Sequence, residues 1–99
     1  MSVLTIKPKA KDDLQDIWWF IAQDSPNNAD KHLDRIYDSM LILADNPQLG
    51  IQRESIARGL RSHVIGNYVV FYSPIENGVD IIRVLHGARD IEKLLATDQ

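Results

Sequence analysis

The sequence contains no cysteine. Disulfides and thiolate metal sites are therefore excluded, and a reducing cytoplasm is the expected compartment. No apolar run approaches the roughly 20 residues that a membrane span needs, so no membrane association is expected. The start, Met1 to Lys7, lacks the apolar stretch of a secretory signal and reads as mature protein. Positive charge is scarce. The 11 Lys and Arg are outnumbered by 14 Asp and Glu, a net charge of -3. That balance argues against direct nucleic-acid binding, which draws its affinity from cationic side chains displacing counterions. There is no lysine between Lys31 and Lys93. The chain also lacks a Gly-rich phosphate loop, a Ser-His-Asp signature and any His/Asp/Glu spacing suited to a metal, so neither cofactor nor metal is expected. His32 and His63 read as surface or edge residues.

What is present is an ordinary composition for a globular protein, 44% hydrophobic and 25% charged, in 99 residues that predict a single domain. The charge is uneven. Residues 46–75 hold Arg53, Arg58 and Arg61 against Glu54 alone, while the segments on either side are acidic. The middle of the chain could thus place a positive face on an acidic body.

The hydrophobic period changes along the chain. Val3 to Lys7 is a β-branched run ended by Pro8 and predicts a first strand. Ala10, Leu14, Ile17, Trp18 and Ile21 then recur at helical spacing, with Lys11, Asp12, Asp13 and Asp16 on the polar side. Asp24-Ser25-Pro26 breaks this helix, and Ser25 as N-cap with Pro26 as first helical residue opens the next. Its apolar face is Ala29, Leu33, Ile36, Tyr37, Met40, Leu43 and Ala44, and Asn46-Pro47 stops it. A short connection makes the two helices an antiparallel hairpin. Residues 47–58 read as irregular. Leu60–Ile65, a Gly66-Asn67 turn, Tyr68–Tyr72, an Asn77-Gly78 turn and Val79–Leu85 then predict a three-stranded antiparallel meander. Ala88–Leu95 reads as a short last helix, with Ile91, Leu94 and Leu95 on one side. The expected fold is α+β, β-α-α-β-β-β-(α), an antiparallel sheet covered on one face by the helical hairpin.

Several segments of this order match known motifs together. They are Ala10-Lys11-Asp12-Asp13-Leu14-Gln15-Asp16-Ile17-Trp18, Ser25-Pro26, Asn46-Pro47, Gly59-Leu60-Arg61-Ser62, Gly66 to Tyr72, and Ile82-Arg83-Val84-Leu85-His86-Gly87-Ala88-Arg89-Asp90. In this order and at natural spacing they resemble the ParE/RelE toxin superfamily, over nearly the whole chain and most closely its ParE-type branch. The resemblance implies the toxin of a type II toxin–antitoxin system. ParE-type toxins poison DNA gyrase and block replication. They are neutralised by a ParD-like antitoxin with a ribbon-helix-helix DNA-binding end and a C-terminal segment that wraps the toxin. RelE-type toxins share the fold but cleave mRNA on the ribosome, so fold alone does not choose between them.

Cleavage of RNA by 2′-OH attack would need groups that activate the hydroxyl, stabilise the phosphate and protonate the leaving oxygen. The candidates are Glu54, Arg61, Arg83 and His86, with Arg53 nearby. The acidic balance and missing lysines favour gyrase inhibition by protein binding over this ribosome-dependent endoribonuclease alternative. A toxin-like module that has lost its toxicity is a third reading. For antitoxin or target binding the candidates are Trp19, Arg58, Arg61, Tyr68, Tyr72, Arg83, His86 and Arg89. Trp18 is expected in the core and Trp19 at its edge. Arg83 is expected to meet an acidic antitoxin residue, or to pair with Asp90 or Tyr68. His86 is expected either to fix the turn at Gly87 or to reach a phosphate, and Arg89-Asp90 either to bind a partner or to cap the last helix. An acidic antitoxin tail would meet Arg58, Arg61 and Arg83 with complementary charge.

Overall fold

The computed structural model describes residues 2–87. Its elements are β1 (Val3–Ile6), α1 (Pro8–Ala22), α2 (Pro26–Asp45), β2 (Ile51–Gln52), β3 (Arg61–Ile65), β4 (Tyr68–Ile75) and β5 (Gly78–His86). The strands form one sheet in the order β1-β5-β4-β3-β2. The expected last helix, Ala88–Leu95, lies outside the described residues.

The helices follow their local signals. Pro8 does more than end β1: it is the first residue of α1, where its missing N–H has no helical partner to lose. Ser25 caps α2 by accepting the Asn28 N–H at 3.2 Å, with Pro26 at the first position. Asn46 ends α2, its backbone N–H donating to the carbonyls of Ile42 and Leu43. The two helices pack as a hairpin, tied by the Trp18 indole N–H donating to Asp30 Oδ1 at 2.8 Å.

The sheet departs from expectation in several ways. It has five strands, because Ile51–Gln52, expected to be irregular, pairs antiparallel with Ser62 and Arg61. It is mixed, because β1 runs parallel to β5, with Val3 opposite Gly78 and Ile6 opposite Ile81. A Cβ on Gly78 would lie 1.8 Å from the Val3 carbonyl oxygen, so the β1–β5 contact requires glycine there. That glycine belongs to β5. The turn sits one residue earlier than expected, at Glu76-Asn77, with Asn77 at φ 63°. The Gly66-Asn67 turn is as expected, with Gly66 at φ 60° joining Ile65 and Tyr68. β4 continues to Ile75 through Pro74. This is tolerated because Arg61↔Tyr72 is the last β3–β4 pair, so Pro74 pairs with β5 alone.

Two cores result. Ala10, Leu14 and Ile17 of α1 and Ile36, Met40 and Leu43 of α2 pack on Val70, Tyr72, Val79, Ile81 and Val84 of the sheet. On the opposite face Leu60, Val69, Phe71 and Leu85 form a second cluster with Ile56, Ala57 and Ile82. The segment leading into β3, Arg53 to Leu60, thus contributes to the far side of the sheet. Burying a side chain such as Phe71 or Leu85 contributes about 1.5–3 kcal/mol, which favours ordering that segment.

A register shift at Phe71/Tyr72 decides which β5 residues reach which core. Tyr72 faces Ile81, Phe71 faces Arg83, and Ile82 has no opposite partner. Before the shift the odd positions Val79 and Ile81 enter the helix-covered core, and after it the even position Val84 does. Strict alternation would have put Arg83 in that row. The bulge moves the alternation by one residue and replaces it with valine.

Candidate functional site

α1 carries two faces at the i, i+3, i+4, i+7 spacing, and each lines a groove. Lys11, Leu14, Trp18 and Trp19, with Leu33 and Tyr37 of α2, line a groove of 370 Å³ along the hairpin. Trp18 is only half-buried, not a core residue as expected, because its indole is committed to Asp30. It meets Trp19 edge-on at 5.3 Å. Trp19 is 61% exposed and Tyr37, expected on the buried face of α2, is 41% exposed. These two form an aromatic rim.

On the other side of α1, Asp13, Asp16, Ile17 and Phe20 face Tyr68, Val84 and His86 across a groove of 480 Å³. Its inner wall is fixed by Asp13. This carboxylate accepts from Arg83 Nε at 2.7 Å, from the Arg83 terminal nitrogen at 2.9 Å, and from the Val84 backbone N–H at 3.0 Å. Both members of the pair are nearly buried, with side chains 10% and 12% exposed. The hydrogen bonds to Asp13 raise the Arg83 pKa above its usual value, desolvation opposes them, and the Asp13 charge adds to the rise. Asp13, read from the sequence as part of the polar side of α1, is thus a partner of Arg83 that was not expected, while the expected partner Asp90 lies outside the described residues. The signal was in the spacing, since Ala10, Asp13, Leu14 and Ile17 fall at i, i+3, i+4, i+7 and set an acid on the apolar stripe. Phe20, 70% exposed, stands seven residues after Asp13 on the same face of α1 and was not among the expected site residues. Tyr68, opposite His86, meets it edge-on at 5.5 Å, and burial pushes the Tyr68 phenol pKa up.

Tyr68, Val70 and Tyr72 share the helix-facing side of β4. Tyr72 is wholly buried and unavailable to a partner. Its hydroxyl donates to the Pro47 carbonyl at 2.9 Å and accepts the Gly50 N–H at 2.8 Å, which holds the turn between α2 and β2. Arg61 serves the same turn. It donates to the carbonyls of Gly50 at 2.7 Å and Gln48 at 3.2 Å, and to Gln48 Oε1 at 2.6 Å. Glu54 accepts the Gly59 N–H at 2.5 Å, and Arg53 donates to Ser62 Oγ at 2.8 Å. Of the three arginines expected to meet an acidic tail, Arg58 alone is solvent-facing, with no hydrogen bond or ion pair among the described residues. Arg89 lies outside them.

The groups weighed for RNA cleavage do not converge. Arg61 pairs with Tyr72 and His86 with Tyr68, four residues apart on β4, or about 13 Å along the strand. Glu54, Arg61 and Arg83 are each engaged in holding local structure. Among the described residues no three His, Asp or Glu side chains gather as a metal site. No helix among them is long and apolar enough to cross a membrane.

Fold and site together define a small α+β protein with open grooves beside one helix and no assembled reaction centre in the described residues. The family model described as ParE toxin of the type II toxin–antitoxin system parDE matches residues 4–91, and the chain belongs to that family. It is 32% identical over 87 residues to Toxin ParE1 of Caulobacter vibrioides, covering 87% of this chain and 90% of that protein. It is 28% identical over 97 residues to Toxin ParE1 of Mycobacterium tuberculosis, covering 91% and 94% respectively. A solved structure of a chromosomal ParDE toxin–antitoxin system from P. aeruginosa shares the fold, with a TM-score of 0.72 and 21% identity over 87% of this chain and 96% of that one.

Proposed function

We propose that this toxin acts in the cytoplasm by binding DNA gyrase and blocking replication, and that a ParD-like ribbon-helix-helix antitoxin holds it inactive. It needs no metal or cofactor and works as one domain. The observation that carries this reading is the distance of Arg61 from His86, about 13 Å along β4, with Glu54, Arg61 and Arg83 each tied into local structure. A general acid, a base and a phosphate clamp must share a few ångströms to cleave RNA. The net charge of -3 supports the same reading, because a ribosome-directed nuclease gains from a basic face. Family membership supports the antitoxin partner. The hairpin groove, with Trp19 and Tyr37 on its rim, suits an amphipathic antitoxin helix.

Inducing the chain in cells without an antitoxin tests this. Gyrase–DNA cleavage complexes should accumulate, and primer extension should show no new stops on translated mRNA. Codon-specific mRNA cuts without cleavage complexes would establish the nuclease instead, and harmless expression would establish a toxin that has lost its activity.

A further inference from the structure

We propose that the groove between α1 and the end of β5 is the surface that docks the target, taking one apolar side chain against Ile17 and Phe20 and an adjoining lysine or arginine against Asp16. This rests on the reading that the chain acts by binding gyrase. Phe20 is the most exposed large hydrophobic residue of the described chain, at 70%, and it stands four residues after Asp16 on the same face of α1. Aromatic residues, phenylalanine among them, are enriched at protein interfaces relative to the rest of the surface. Ile17, Val84 and Tyr68 make the floor apolar.

Among the described residues, the unpaired carboxylate lining the groove is Asp16. Asp13 is neutralised by Arg83, whereas Asp16 is exposed and has no partner among the described residues. A docking segment therefore needs a cation at that point. A protein that works on DNA presents such cations, because it must meet phosphates. The hairpin groove has the opposite character, with Lys11 in its lining. The walls are also set before binding, since Asp13 clamps α1 to both Arg83 and the Val84 N–H. Little ordering cost remains for the partner to offset.

The test measures binding of the full chain to purified DNA gyrase by surface plasmon resonance, with Phe20→Ala, Asp16→Lys and Asp16→Asn variants. Leu41→Ala, which truncates an exposed apolar residue of α2, controls for general loss of hydrophobic surface. Unchanged melting temperature verifies each fold. Phe20→Ala and Asp16→Lys should each weaken binding about tenfold or more, Asp16→Asn less, and Leu41→Ala not at all. If the unaltered chain binds and both groove variants bind within about twofold of it, this assignment is wrong while the gyrase reading stands. If the unaltered chain does not bind gyrase, both are overturned.

Discussion

Replacing Asp13 with alanine should destabilise this protein more than any surface change. The substitution removes a two-pronged bond to Arg83 and the acceptor of the Val84 N–H, in a site where the paired side chains are only 10% and 12% exposed. Removing one member of a buried ion pair leaves the other desolvated and alone, at a cost of about 3–5 kcal/mol. The orphaned backbone N–H is part of that cost, about 1–3 kcal/mol. A domain of this size has roughly 5–15 kcal/mol of stability in all, so the loss is a large fraction of it. Urea unfolding followed by the fluorescence of Trp18 and Trp19, both on α1, reads it directly. With a slope of about 1–3 kcal/mol/M the midpoint should fall by roughly 1–5 M, the slope itself unchanged. The double variant Asp13→Leu with Arg83→Met should recover most of the loss, because it removes both charges together and leaves only the Val84 N–H without an acceptor. A single variant within about 1 kcal/mol of the parent, or a double variant no better than the single, would show that the clamp is not what holds α1 to the bulge of β5.

Three further outcomes follow from named contacts. Tyr72→Phe should cost about 1–3 kcal/mol in urea unfolding, because the Gly50 N–H loses its acceptor and the Pro47 carbonyl its donor. Ser25→Ala should cost about 1 kcal/mol and Ser25→Gly only a few tenths, a contrast that separates loss of the cap from any side-chain packing. Burial raises the Tyr68 pKa above 10.0 and so favours its protonated form in the folded state. Its stabilising effect is intact below pH 10 and is lost as pH climbs from there through the folded pKa. Spectrophotometric titration should show a phenol ionising above pH 10.0 that Tyr68→Phe removes; a Tyr68 that ionises at or below pH 10.0 would refute this.

The charge expectation changes most on seeing the structure. An acidic tail meeting Arg58, Arg61 and Arg83 is a natural reading of the sequence, since arginines on strands look like an open basic face. Arg61 instead anchors the turn after α2, and Arg83 is consumed by α1. Exchanging either for glutamate would perturb folding before it reported on any partner. Arg58 is the solvent-facing one of the three. The apolar and acidic surface beside Phe20 and Asp16 now carries the stronger recognition signal.

Features controlled by residues close together along the chain could be read from the amino acids alone. Period 3.6 against period 2, Ser25-Pro26 at the head of α2, Asn46 at its foot and Gly66 in the hairpin all act within a few residues, so helices, turns and the meander could be read directly. The ordered motifs from Ala10 to His86 pointed to the family for the same reason. Which residues those elements bring together depends instead on packing between distant parts of the chain. Asp13 meets Arg83 across 70 residues, Tyr72 reaches Pro47 across 25, and Gly78 admits Val3 from the other end of the chain. Such pairings leave no local trace. The β5 bulge adds a second limit, because one unpaired residue inverts the alternation on which any reading of strand faces depends.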